Sequence, residues 1–280
     1  MTDDFDIIIR AGKGKLTDNL TGLGRYRDLI KLLVRRDFTV LYKQTALGPL
    51  WLIINPLFAS IVQAFIFGGL AGLSTDGMPM MLFYMAGNII WEVFSKTVGV
   101  TANTFINSSF ILGKVYFPRL VMPISQATST LLNSLIQFVM LLGFFVYYWA
   151  TGSAVHPTAW MALLPLLLVQ SALLGLGVGL CVSALTTKYR DLIHGVTLAL
   201  QLWMYLSPVV YPLSTAKGPF RTALLINPMT AVIENFRFCL MNSGELLIGE
   251  WAISLGVTLC LVFLGAILFS RTERTFIDTI

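Results

Sequence analysis

The sequence predicts an all-α polytopic membrane protein, and three observations carry that prediction. Hydrophobic residues make up 56% of the 280 and charged residues only 12%, the latter about half the share of an ordinary soluble domain. The charges are also unevenly placed. Residues 1–43 hold nine Lys/Arg and six Asp/Glu, which leaves eighteen charged side chains for the other 237 residues. Finally, the sequence contains six segments apolar enough to cross a bilayer, which takes about 20 residues as a helix. A mean hydropathy of +0.78 agrees. Disordered chains, coiled coils and extracellular disulfide scaffolds are excluded on these grounds.

The first element is a tail over residues 1–24. Its start, Met1-Thr-Asp-Asp-Phe-Asp, is acidic and polar and does not read as a cleavable signal peptide. Residues 25–44 read as an amphipathic helix lying at the membrane interface. Tyr26, Leu29, Ile30, Leu33, Val34, Val40 and Leu41 form one apolar stripe, opposite Arg27, Asp28, Lys31 and Arg35. Asp37 falls on the apolar stripe, so the helix is expected to bend or end near it.

Residues 45–280 read as a single transmembrane domain. Its spans are expected at about 49–73, 80–103, 120–150, 160–185, 193–213 and 251–270. Between the last two lies FRTALLINPMTAVIENFRFCLM, apolar but broken at Asn227-Pro228. Each arm is too short to span, so residues 219–241 are expected to form a re-entrant hairpin of half-helices on the external face. With six spans both termini share one side, and that side collects fifteen of the nineteen Lys/Arg. The positive-inside bias then makes both termini cytoplasmic.

Several patterns that suggest chemistry fail on their context. Gly12-Lys-Gly-Lys15 lacks the earlier Gly and the following Ser/Thr of a phosphate-cradling loop, so no nucleotide site is expected. Gly175, Gly177 and Gly179 lie inside an apolar span without a preceding strand, and read as small residues that let helices approach closely. The three Cys and two His make neither a disulfide framework nor a metal site. No cytoplasmic loop clusters Asp, Glu or His for catalysis, and the net charge of +5 does not call for nucleic acid. Glu92 and Lys96 are four apart in the second span, the favourable order for a helical ion pair. An ionisable pair there must face protein or a polar pathway. Tyr84, Trp91, Trp203, Tyr205 and Tyr211 are candidates for stacking on the apolar faces of sugar rings, or alternatively for packing and interface anchoring.

Taken in order, Val34-Arg-Arg-Asp-Phe-Thr-Val-Leu-Tyr42, Leu47-Gly-Pro-Leu-Trp51, Asn55-Pro-Leu57, Leu112-Gly-Lys-Val-Tyr-Phe-Pro-Arg119, Tyr189-Arg-Asp191, Gln201-Leu-Trp-Met-Tyr-Leu-Ser-Pro-Val-Val-Tyr-Pro212 and Asn227-Pro-Met229 resemble type-2 ABC exporter permeases of the polysaccharide, or O-antigen, branch. The resemblance covers about residues 25–241 and departs from the family at the acidic tail and at Glu92/Lys96. It implies a transport subunit rather than an enzyme, in the bacterial cytoplasmic (inner) membrane. It further implies a homodimer working with two copies of a separate ATPase subunit, which would hold the MgATP. The substrate it implies is a lipid-linked polysaccharide, undecaprenyl-diphosphate-linked, carried through a pore at the dimer interface. Export of teichoic acid, or of another lipid or drug, is the same-class alternative, and a membrane enzyme acting on a lipid carrier is the different-class one.

Site expectations follow. Residues 106–118 should form a coupling helix seated in the ATPase, with Lys114, Tyr116 and Arg119 at it and Arg35, Arg36 and Asp37 flanking. The first and fifth spans of two protomers should line the channel. Arg221, Asn227, Pro228, Glu234 and Arg237 should belong to an external gate, the charges facing the outer interface or a wet vestibule. Lys217 and Arg221 could meet lipid or glycan phosphate.

Overall fold

A computed structural model describes residues 23–43, 47–107, 117–153, 155–187, 189 and 191–277, and among these residues it is helical with no strand. A turn at Leu23–Tyr26 leads into α1, Arg27–Lys43. Helix α1 runs on past Asp37 rather than ending there. It lays Tyr26, Leu29, Ile30 and Leu33 on Phe117, Leu120 and Val121, so its apolar stripe is partly covered by protein. Asp37 is tolerated on that stripe because its Oδ2 accepts a 3.0 Å hydrogen bond from Ser129 Oγ.

Helix α2, Trp51–Gln63, carries Pro56 internally and continues as a wider turn over Ala64–Leu70. Helix α3, Met80–Ala102, is the central element. The short α4, Thr104–Asn107, follows it, and then α5, Val121–Ala150. A turn at Ala159–Leu163 opens α6, Leu164–Thr186. Next come α7, Leu192–Tyr205, the short pair α8, Gly218–Ile226, and α9, Pro228–Met241, and finally α10, Ile248–Ile277.

Four helical stretches are long and apolar enough to cross a membrane: Trp51–Leu70, Val121–Ala150, Ala159–Thr186 and Ile248–Thr272. The other two expected spans differ, each for a physical reason. At 23 residues α3 is long enough, but it is too polar to count with the four. It can be polar because it is sheathed by α2, α5, α6 and α9 and faces little lipid. Helix α7 has only 14 residues, a length of about 21 Å at 1.5 Å per residue. Ser207-Pro208 stops it, since proline lacks the N–H donor and disfavours helical backbone before it.

The three glycines of α6 act as spacers on opposite faces. A Cβ on Gly175 or Gly179 would stand 2.7 Å from Phe94 O or 2.6 Å from Thr101 Cβ on α3, and one on Gly177 would stand 2.7 Å from Val262 N on α10. Gly265 on α10 returns the fit, its own Cβ position lying 2.7 Å from Gly177 O. Backbones thus touch on both sides of α6, which builds the α3–α6–α10 core by close packing.

Candidate functional site

Among the helices of the expected spans, those of the first and the fifth, α2 and α7, are the least covered. Among the residues of α7 none is buried. Ile193, Val196, Leu200, Trp203 and Met204 turn inward, while His194, Thr197, Gln201 and Tyr205 fall on one exposed face. The same side also exposes Leu198 and Leu202, so the outward face of α7 mixes polar and apolar side chains. Helix α2 exposes Phe58, Ile61 and Val62, and the wider turn that continues it exposes Phe65. These two faces belong to the first and fifth expected spans.

The aromatic candidates divide. Tyr205 is 58% exposed. Tyr211 is half-buried, and its hydroxyl donates a 2.9 Å hydrogen bond to Tyr205 O. Trp203 is half-buried, edge-on to Phe94 with ring centres 5.2 Å apart. Tyr84 and Trp91 are buried in the core, which removes them from any surface a sugar could touch. Position along an apolar helix does not distinguish an inward ring from an outward one.

The hairpin residues form a buried latch instead of a charged vestibule. Arg237 is 0% exposed and Glu234 3%. The two Nη atoms of Arg237 each donate a 2.6 Å hydrogen bond, one to Pro208 O and the other to Val209 O. Its Cζ lies 3.6 Å from the Phe83 ring centre, in cation–π range. Glu234 Oε1 accepts from Leu213 N at 3.2 Å and from Arg237 Nη1 at 3.4 Å. Gly87 makes room for this, because a Cβ there would meet Arg237 Nη2 at 2.6 Å. The buried arginine thereby satisfies the Pro208 and Val209 carbonyls, which lie past the end of α7 and have no helical partner there.

Asn227 ties the same segment from the hairpin's apex. It caps α9 by accepting from Met229 N at 3.1 Å, and it donates to Leu206 O at 3.0 Å and Ser207 Oγ at 2.8 Å. Pro228 occupies the first turn of α9, where its missing N–H is harmless. Asn235, not singled out in the sequence, holds Leu247 through both its amide groups. Arg221 pairs with Glu245 at 2.5 Å in a partly exposed contact, and Lys217 is exposed. The break between α8 and α9, partly exposed at Ile226 to Pro228, is bonded to the segment that follows α7.

Glu92 and Lys96 do form an ion pair along α3, with Lys96 half-exposed. One turn away on the same helix, Asn88 Nδ2 donates 2.9 Å hydrogen bonds to Ser60 Oγ and to Gln63 Oε1 of α2. Arg35 and Arg36 are exposed on α1, and Arg36 pairs with Asp37 at 2.9 Å. Arg119 is buried, 9% exposed, rather than presented to a partner. Lys114, Tyr116 and most of the expected coupling helix lie outside the described residues, as do Lys188 and Arg190. Among the described residues no group of His, Cys, Asp or Glu is placed to hold a metal ion.

The family model for ABC-2 type transporters matches residues 28–241. The chain belongs to the ABC-2 type transporter family. The span matched by the ABC-2 family runs from α1 to the end of the hairpin, taking in the α2 and α7 faces and the Arg237 latch. An O-antigen export system permease protein of Klebsiella pneumoniae is 27% identical over 256 residues, 91% of this chain and 96% of that protein. A second Klebsiella pneumoniae permease of the same name is 26% identical over 257 residues. One from Myxococcus xanthus is 30% identical over 217 residues, 77% of this chain and 81% of the relative. As an ABC-2 type transporter with long apolar helices, the chain is a multi-pass membrane protein.

Proposed function

We propose that this chain is the permease subunit of an ATP-driven exporter that moves an O-antigen-type, lipid-linked polysaccharide across the bacterial cytoplasmic membrane. The observation that carries this reading is the similarity to O-antigen export permeases along nine tenths of the chain. The geometry supports it. Helices α2 and α7 leave broad faces uncovered, and a second copy of the chain would bring two such pairs together around a channel. A long polymer requires a continuous path, and the exposed face of α7, with Gln201 and Tyr205 among its leucines, offers hydroxyl partners and an aromatic ring for sugars to stack on.

Six crossings fit the same reading. Helix α3 crosses inside the protein, and α7 with the Leu206–Pro212 segment reaches outward to the hairpin, which dips back without spanning. Both termini then lie in the cytoplasm, where α1 and residues 106–118 meet two ATPase subunits that hold MgATP. The hairpins of the dimer stand at the outer end of the channel and keep it shut between substrates.

Deleting the gene tests the reading. Surface polysaccharide should disappear while lipid-linked glycan accumulates on the cytoplasmic side, and the full-length chain should restore export. Normal surface polysaccharide without the gene would overturn the proposal.

A further inference from the structure

Helix α1 carries a second face that no other described element covers. Its inner stripe, Tyr26, Leu29, Ile30 and Leu33, is taken up by Phe117, Leu120 and Val121. Leu32 stands one residue before Leu33, about 100° round the helix, and is 65% exposed; Val40, two turns on, is 51% exposed. Arg35, Arg36 and Lys43 are exposed beside them. Together with Thr39 these five residues border one open depression along the helix, and among the described residues every side chain at its edge comes from α1.

The charge on this face is not balanced. Between Leu32 and Lys43 the only acid is Asp37. It is already engaged, Oδ1 accepting from Arg36 at 2.9 Å and Oδ2 from Ser129 of α5 at 3.0 Å. Arg35 and Lys43 meet no acid among the described residues. The face therefore keeps a surplus of positive charge next to two exposed aliphatic side chains. A partner that fits it is anionic and apolar at once.

The depth of the face in the membrane narrows that partner. Helix α5 exposes no residue from Val121 to Leu131, and its exposed apolar side begins at Leu132. From Leu132 to the end of the helix at Ala150 is about 28 Å at 1.5 Å per residue, close to the roughly 30 Å of a bilayer's hydrocarbon core. The cytoplasmic edge of that core thus falls near Leu132. The C-terminal half of α1 lies at the same level, because Asp37 bonds Ser129 and Val40 borders a cavity with Asn133. On its other flank the chain exposes Leu47, Leu50 and Trp51 where α2 begins, an apolar and aromatic edge of the kind that sits at the interface. An acidic protein surface would match the cations, but it would not match aliphatic side chains at the rim of the hydrocarbon.

We propose that this outer face of α1 binds anionic phospholipid of the cytoplasmic leaflet. Arg35, Arg36 and Lys43 take the headgroup phosphates, and Leu32 and Val40 seat against the first part of the acyl chains. Lipid bound in this way fixes the depth of α1 and, through the turn before Trp51, of the cytoplasmic start of α2. Contact of α1 with the ATPase then falls to its N-terminal half, where the side chains of Arg27, Asp28 and Lys31 are exposed. The proposal rests on the cytoplasmic placement of α1 in the reading above, and not on the substrate.

Fluorescence quenching tests it on the whole transporter, this chain with its ATPase, reconstituted in phosphatidylcholine vesicles. Cys181, Cys239 and Cys260 are first replaced by Ala, and bimane is attached at Leu32→Cys or, in a second variant, at Val40→Cys. Both positions are exposed, and each preparation must match the parent in size-exclusion elution and ATP hydrolysis. The quenchers are phosphatidylglycerol and phosphatidylcholine carrying a nitroxide near the top of one acyl chain. Phosphatidylglycerol should quench at a roughly tenfold lower mole fraction than phosphatidylcholine, an order set by the surplus cations, and high salt should narrow the difference. In the double variant Arg35→Gln, Lys43→Gln, which breaks no ion pair, the two lipids should quench nearly alike. No quenching by either lipid would place protein over the face. Equal quenching by both in the parent would make the contact apolar only, and a preference that survives the double variant would put the headgroups elsewhere; each of these outcomes overturns the proposal. No glycan enters the measurement, so its failure leaves the export reading intact, and failure of the gene-deletion test leaves the lipid contact intact.

Discussion

Arg237 illustrates how one side chain joins two distant parts of the fold. It lies fully buried, with Glu234 beside it and the carbonyls of Pro208 and Val209 on its fork. Replacing it with Met would leave a buried carboxylate and two carbonyls without their partner. Breaking one side of a buried pair is strongly destabilising, by about 3–5 kcal/mol. Thermal unfolding of detergent-purified protein should show Arg237→Met well below the parent. Arg237→Lys should recover only part of the loss, because an ammonium cannot reproduce the guanidinium's fork. A second residue-scale prediction concerns α6. Gly177→Leu should cost at least about 1–3 kcal/mol from overpacking, because its side chain would have to enter the backbone of α10 at Val262. Size-exclusion chromatography would report aggregation or loss of the folded species. The sequence displays the Glu234/Arg237 spacing but not its partners. The bonded carbonyls lie 28 and 29 residues away in the chain, and a charge on an apolar arm reads equally well as facing water. The Glu92–Lys96 pair was legible because both partners lie on one helix.

Among the elements, α8 and α9 and the end of α7 behave as one unit. Asn227 bonds Leu206 and Ser207, Glu234 bonds Leu213, and Arg237 bonds Pro208 and Val209. The hairpin is thereby fastened to the helix proposed to line the channel, so gate and wall should move together. Shortening the hairpin around Asn227–Pro228 should make reconstituted transporter leak ions without ATP, as read by planar-bilayer conductance; a tight membrane would argue against a gating role. Asn227→Ala removes the α9 cap, at a cost of about 1 kcal/mol, together with both bonds to the segment just past α7, and should give a smaller leak. At this scale the break at Asn227-Pro228 was readable from proline chemistry. The length of α7 was less so: the apolar run continues through Tyr211, and the Ser207-Pro208 stop within it had to outweigh hydropathy. Helix α3 went the opposite way, since its polar residues depend on the helices around it for their tolerance.

At the scale of the whole molecule, a tightly packed core contrasts with apolar outer faces on α2, α5, α7 and α10. The α3–α6–α10 core is packed backbone to backbone, while α2 and α7 expose Phe58, Phe65, Leu198, Leu202 and Tyr205. The membrane class was legible from composition, and the family from motifs spread along the chain. Which faces remain open was not, because it depends on how the helices rotate in the bundle. If two protomers close a channel with these faces, a cysteine replacing Phe58 should cross-link to its counterpart or to α7 of a second copy in native membranes, and one replacing buried Trp91 should not. The central claim is that polysaccharide passes along the exposed face of α7. Its most direct test places the photoreactive amino acid p-benzoylphenylalanine at Tyr205, in the full transporter with its ATPase, during active export. Illumination should attach glycan to this chain at Tyr205 and leave a control at Trp91 unmodified. Attachment only to lipid or to protein at Tyr205, with export continuing normally, would contradict the account.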